Sequence, residues 1–206
     1  MEMVPSASRS GPPPLPESEG YVTRNHALAS TTTWSLCAGA LIVAAVDRPV
    51  RRVALSKVVS VRLEFAPTRP ERNRFRCRLA LQGGEVLEFY NRTYRGVYDF
   101  ADTSGAYVAL VRELHTQLAQ HAPNCRFLGG VGQGGYVLNM AILVVLALVL
   151  VGALGFFLTV GLVWVALIKL LLIAFYTPAA IRWAKRNRPQ TYLPGDIPAS
   201  VLPELN

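Results

Sequence analysis

The chain has 206 residues, is 51% hydrophobic and carries a net charge of +8, from 21 Lys and Arg against 13 Asp and Glu. That apolar share excludes a wholly disordered chain. Cys37, Cys77 and Cys125, widely spaced and without a Cys-x-x-Cys pair, exclude a disulfide framework and a zinc finger.

Residues 1–20 are rich in Pro, Ser and Gly and lack apolar periodicity, which predicts a disordered segment. The run Pro12-Pro13-Pro14-Leu15-Pro16 interrupts it, and no apolar core of a signal peptide is present, so insertion is expected to depend on a later segment.

Residues 21–128 form the predicted folded domain. Strand texture begins with Thr31–Cys37, followed by a turn at Ala38-Gly39, the apolar run Ala40–Val46, a break at Asp47-Arg48-Pro49, and Val50–Leu55. In Val58–Phe65 a period of two puts Val59, Val61, Leu63 and Phe65 inside. Ala66–Asn73, with two prolines and three charges, is an exposed loop. Arg74–Leu81 alternates again: Phe75, Cys77, Leu79 and Leu81 face inward, while Arg74, Arg76 and Arg78 face outward. A three-residue loop, Gln82-Gly83-Gly84, keeps the faces in phase. It sets Leu79 opposite Leu87, Cys77 opposite Phe89 and Arg78 opposite Glu88, with Gly84 left-handed.

A helix follows, capped by Asp102, Thr103 or Ser104. Its apolar stripe is Tyr107, Leu110, Val111, Leu114 and Leu118, and it ends near His121, before Pro123. His115 and His121 read as solvated helix residues. Residues 129–135 are read as a flexible glycine-rich hinge. Gly130, Gly132 and Gly135 match G-x-G-x-x-G, but that fingerprint needs a strand before it and an amphipathic helix after it. Asn91-Arg92-Thr93 matches a glycosylation acceptor that would go unused on the cytoplasmic side.

Residues 136–177 are the predicted transmembrane hairpin. Val137–Tyr176 holds one charge, Lys169, and two other clearly polar side chains, Asn139 and Thr159. Forty helical residues would extend about 60 Å, near twice a bilayer core of ~30 Å, which predicts two helices. The turn falls either at Gly152–Gly155, the preferred split, or at Thr159–Gly161. Lys169, about 10 Å from a second helix ending at Tyr176, is expected to snorkel toward that end. Residues 178–206 form a basic, proline-rich tail. Arg182, Lys185, Arg186 and Arg188 follow the second span with no acid before Asp196, which places that flank and, with two crossings, both termini in the cytoplasm.

The element order of about seven strands closed by one helix resembles a pleckstrin-homology (PH) fold. Residues from about His26 to His121 are similar to bacterial PH-like domains of small membrane proteins. The likeness is carried by Leu55-Ser56-Lys57-Val58-Val59-Ser60-Val61-Arg62, the Gly83-Gly84 hairpin and Tyr107-Val108-Ala109-Leu110-Val111-Arg112-Glu113-Leu114. The paired spans and Arg186-Asn187-Arg188-Pro189 look like the same kind of protein. The resemblance implies an α+β membrane protein: a PH-like antiparallel β-sandwich or barrel of about seven strands, capped by a C-terminal helix and followed by two transmembrane helices in a bacterial inner membrane. Phosphoinositide-binding PH domains carry basic residues around the first hairpin. Here that turn is Cys37-Ala38-Gly39, so the headgroup site does not carry over.

No nucleophile–base set, metal-ligand cluster or phosphate loop points to an enzyme or a cofactor. Asp47 to Arg78 holds ten basic residues against three acids. Near a bilayer this excess suits an anionic leaflet better than nucleic acid, for which no motif is present. The expected function is a non-catalytic membrane adaptor or scaffold, with the lipid bilayer, a membrane or cytoplasmic protein, or a second copy of the chain as partners. The alternative is a small subunit of a transport or membrane-enzyme complex. Candidate anionic-lipid contacts are Arg69, Arg72, Arg74, Arg76, Arg78, Arg182, Lys185, Arg186 and Arg188.

Overall fold

The structure, a computed structural model, describes residues 20–205. The expected disordered segment, apart from Gly20, and its proline run lie outside the described residues. The described chain is α+β, with several β-sheets and three helices.

The first four strands pair antiparallel in chain order: β1 (Tyr21–Thr23), β2 (Thr32–Cys37), β3 (Ala40–Ala45) and β4 (Arg51–Ala54). Ala38 and Gly39 join β2 to β3 with φ of 42° and 74°, the left-handed pair that matches the twist of a two-residue hairpin. One 3-10 turn, Leu55–Lys57, leads into the second sheet, where β5 (Val58–Phe65), β6 (Phe75–Leu81) and β7 (Val86–Tyr90) form a meander. The β6–β7 register is the one the alternation required: Cys77 faces Phe89, Arg78 faces Glu88 and Leu79 faces Leu87. Gly83 and Gly84 both take positive φ in the loop.

β5 departs from strict alternation. Its pairing with β6 slips between Val58 and Ser60, so Val58 is buried at 4% exposure while Val59 points out at 38%. The extra residue of a bulge re-phases the strand, and from Val61 onward the inward set is as expected.

A short ribbon, β8 (Arg92–Gly96) and β9 (Asp99–Asp102), precedes α1 (Ser104–His121). The Asp102 carboxylate accepts the Ser104 amide at 2.9 Å, and Tyr107, Val111, Leu114 and Leu118 are fully buried. Tyr107 meets Phe89 at 5.7 Å between ring centres, and Phe89 meets Trp34 at 5.2 Å, so an aromatic centre joins helix and both sheets. Asn91 is buried. Its side chain accepts the Phe75 amide at 2.7 Å and donates to Asn73 O and Ser104 Oγ, which removes it as a glycosylation acceptor on structural grounds.

After α1 the chain adds strands that the seven-strand expectation did not include. β10 (Arg126–Gly129) lies parallel to β5, and β11 (Gln190–Thr191) lies antiparallel to β10. Between them run α2 (Gln133–Thr159) and α3 (Val163–Arg186), both long and apolar enough to cross a membrane. Their turn is at the second of the two sites considered, not the preferred one. Gly161, at φ 80°, donates to Leu158 O at 3.2 Å, and Leu162 donates to Phe157 O at 2.9 Å. This paired Schellman capping satisfies the last carbonyls of α2. Gly152 and Gly155 continue the helix.

The glycine-rich segment is not a free hinge. Gly129 ends β10, and α2 already begins at Gln133. The Gly130 amide donates to Leu63 O at 2.8 Å, and a Cβ on Gly130 would lie 2.4 Å from Arg188 O and 2.5 Å from Asn187 O. Asn187 is fully buried and donates through Nδ2 to Phe65 O at 2.7 Å. Entering and leaving chains therefore interlock against the end of β5. The tail then packs on the domain, where Val201 and Leu202 join the core.

His115 is also corrected. It is fully buried, not solvated: Nδ1 bonds Val111 O at 2.7 Å and Nε2 bonds Tyr192 Oη at 3.0 Å. Tyr192 comes from the tail, which the α1 sequence could not reveal. Burial pushes the imidazole pKa down to about 4, against the opposing Val111 bond.

Candidate functional site

Strand geometry puts Arg74, Arg76 and Arg78 on one face, about 7 Å apart along β6. The neighbouring strands contribute Arg62 and Glu64 from β5 and Glu88 from β7. Glu64 pairs with Arg76 and lies 3.8 Å from Arg62; Arg76 reaches Glu88 at 3.6 Å, and Arg78 reaches it at 3.3 Å. Arg74 pairs with Glu71 at 3.3 Å and stacks 3.8 Å above the Tyr90 ring. Burial works against the Arg76 charge, but the Glu64 and Glu88 carboxylates outweigh it and hold its pKa above the ordinary arginine value. Burial, with Glu88 beside it, raises the Tyr90 hydroxyl. The arginine face is thus a cross-strand ion-pair lattice, and three glutamates screen its four arginines.

The other candidate cations sort differently. Arg186 pairs with Glu204, and its guanidinium lies 5.2 Å from the Phe65 ring and 5.4 Å from the Phe75 ring. Arg69, Arg72, Arg182, Lys185 and Arg188 are exposed and form no salt bridge among the described residues. Arg69 and Arg72 sit on the loop between Phe65 and Phe75, at the end of the sheet against which Arg186 and Asn187 pack. That loop and the last turns of α3 are brought to the same end of the domain. Arg78, four residues further along β6, lies about 13 Å away from that end. Sequence reasoning grouped all nine cations; the structure divides them into a paired set and an unpaired set.

Two aromatic rings mark a level along the helices. Tyr136 stacks on Trp183 at 6.3 Å and 12°. From Tyr136 to Thr159, and from Trp183 back to Val163, the rise is about 30–35 Å in each helix, the thickness of a hydrocarbon core. Because α3 runs on to Arg186, Lys169 lies about 21 Å from Trp183 and about 9 Å from Val163. The expected direction of snorkelling is therefore reversed. Helical side chains lean toward their own N-terminus, which in α3 is the turn, and Lys169 Nζ sits 5.4 Å from the Phe157 ring on that side.

No protein-family model, curated protein or solved structure matches the chain.

An open groove of about 980 Å³ lies between β2–β4 and β7, with Trp34, Val43, Arg52 and Leu87 on its walls and the Arg51–Glu85 ion pair at its rim. Among the described residues no three His, Cys, Asp or Glu side chains come together as a metal site. The residues that sequence reasoning missed are Gly130 and Asn187, which fix the domain to the helices. Only the G-G and R-N-R spacing around them hinted at a special backbone, and their pairing is long-range.

Proposed function

We propose that the protein is a non-catalytic integral membrane adaptor, a PH-like domain held against the cytoplasmic face of a bacterial inner membrane by its own transmembrane hairpin, with both termini inside. The observation that carries this reading is the interlocked junction of Gly130, Asn187 and Phe65. It fixes one end of the sheet to the basic end of α3, and that end also carries the loop of the unpaired, exposed Arg69 and Arg72. Near an anionic leaflet each such cation is worth ~1 kcal/mol. Four strands, then three, then a helix is an order compatible with the PH resemblance, while the β8–β9 ribbon and the parallel β10 are additions to it. The ion-paired Arg74, Arg76 and Arg78 act as sheet structure in this reading and leave the opposite surfaces for a protein partner.

The test uses full-length protein in nanodiscs of zwitterionic or anionic lipid. Amide exchange across the 66–73 loop should slow by roughly 30-fold in anionic discs, from ~1 kcal/mol for each of Arg69 and Arg72, and the difference should fade with salt. Arg69→Glu with Arg72→Glu should abolish it. Reporters at both termini and at Gly161 should give inside, inside and outside. Equal protection in both lipids, or an external C-terminus, defeats the proposal.

A further inference from the structure

The last turns of α3 carry a feature that the adaptor reading does not use. Ala174, Thr177, Pro178, Ile181, Arg182 and Lys185 line a shallow, open depression on the helix surface. A helix turns about 100° per residue, so these six positions share the face opposite Trp183, and Trp183 is the residue that meets α2 through Tyr136. The groove therefore opens away from the hairpin, toward whatever surrounds it.

Its chemistry is graded along the axis. Measured from the Trp183 level, Ala174 lies about 13 Å and Pro178 about 7 Å on the apolar side, Arg182 sits near the level itself, and Lys185 is about 3 Å beyond it. The lower wall is small and apolar: alanine, the proline ring and the Ile181 branch leave the concavity. The Thr177 hydroxyl is turned inward, donating to Ile173 O at 2.6 Å, so it offers no proton to the groove. The upper wall holds two exposed cations. Neither has a salt-bridge or hydrogen-bond partner among the described residues, and no carboxylate lines the groove. A shallow apolar depression running about 13 Å along the helix, most of a ~15 Å leaflet, under two unneutralised cations at the headgroup level, matches one class of molecule: an anionic phospholipid, phosphate above and acyl chain below.

We infer that this face of α3 is a binding groove for a single anionic phospholipid, with Arg182 and Lys185 on the phosphate and Ala174, Pro178 and Ile181 along one acyl chain. The inference rests on the reading that α2 and α3 cross the bilayer. It goes beyond a general attraction to the leaflet, because it requires a fitted chain as well as a charge.

The full chain is reconstituted in nanodiscs containing phosphatidylglycerol diluted in phosphatidylcholine, then extracted in mild detergent, and co-retained lipid is weighed by native mass spectrometry. Incorporation into the discs is scored first, and failure there defeats the bilayer reading. With incorporation intact, wild type should retain one phosphatidylglycerol per chain and little phosphatidylcholine. Arg182→Gln with Lys185→Gln should lower retention by roughly 30-fold, from about a five-fold preference for each cation. Ile181→Trp, which fills the depression and leaves both cations in place, should lower it at least tenfold, whereas Arg112→Gln, an exposed cation on α1 outside the groove, should leave it within twofold. Circular dichroism on each variant confirms the fold, and the conservative Arg182→Lys should restore most of the retention. No preference for the anionic lipid, full retention by Ile181→Trp, displacement by inorganic phosphate alone, or a lipid-free dimer crosslinked through Ala174 would each overturn the inference.

Discussion

Gly130→Ala is the most discriminating perturbation of the junction. At φ 71° an L side chain costs ~1–2 kcal/mol. The new methyl would also lie 2.4–2.7 Å from the backbone atoms of Asn187 and Arg188, which cannot rotate away, and overpacking of that kind costs ~1–3 kcal/mol. Together these predict roughly 2–5 kcal/mol, concentrated on the bonds from Gly130 N to Leu63 O and from Val131 N to Asn187 O. Hydrogen exchange in detergent or nanodiscs reads those amides directly. The loss corresponds to exchange faster by roughly 30-fold to several thousand-fold at positions 130 and 131, with β2 and β3 unchanged. Gly132→Ala, Gly134→Ala and Gly135→Ala are the controls. Nothing lies within 4 Å of their added methyls, so each should be neutral or stabilise by ~0.4–1 kcal/mol. If Gly130→Ala behaves like those three, the segment is a hinge after all and the interlock argument fails.

His115 predicts an acid-sensitive fold. Its folded pKa of about 4 lies below the unfolded 6.5, so between those values the unfolded chain binds the proton and the folded one does not. Stability should be full above pH 6.5, fall as pH drops toward 4, and lose on the order of 3 kcal/mol in all. Denaturant titrations at several pH values should show this slope, and His115→Phe should flatten it. The bulge in β5 predicts opposite fates for adjacent valines: Val58→Ala should destabilise by about 1.5 kcal/mol or more, and Val59→Ala by under ~0.5 kcal/mol, with a reversed order in equilibrium unfolding restoring the unbulged strand. Lys169→Leu should improve membrane insertion, by less than the ~3 kcal/mol of a mid-bilayer lysine because the charge sits near the turn. Impaired insertion in a reporter assay would instead give Lys169 a structural partner.

What could be read from the sequence was local. Alternation in Arg74–Leu81 and Val86–Tyr90, with one loop length compatible with it, determined a register that the structure reproduces pair by pair. The α1 stripe and the two apolar helices were equally visible, because periodicity and length are properties of the segment itself. Long-range pairing was not visible. β10 is four residues with no useful alternation, and its partner β5 lies some sixty residues earlier. Gly152, Gly155 and Gly161 look alike as helix breakers. Only the capping geometry of Phe157, Leu158 and Leu162 selects Gly161. Reading the apolar run alone ended the second helix at Tyr176, nearly three turns short of Arg186, so the distance of Lys169 from the interfacial Trp183 was underestimated by about two turns. At the candidate site, charge counting found the β6 and tail cations but neither Arg62 beside them nor which were neutralised. Arg74, Arg76 and Arg78 lose their freedom to Glu64, Glu71 and Glu88 on three different elements, while Arg182 and Lys185 keep theirs.

The tail that covers the domain has a consequence for synthesis. Tyr192, Val201 and Leu202 are translated only after both long helices, yet Tyr192 closes over His115 and Phe127, and Val201 belongs to the innermost core. A ribosome making this chain releases Tyr21–Gly129 with that side of its core uncovered, and the covering residues emerge only after both long helices. Completion of the domain therefore waits on synthesis of the whole hairpin: until the tail emerges, β10 has no β11 beside it and its edge stays open.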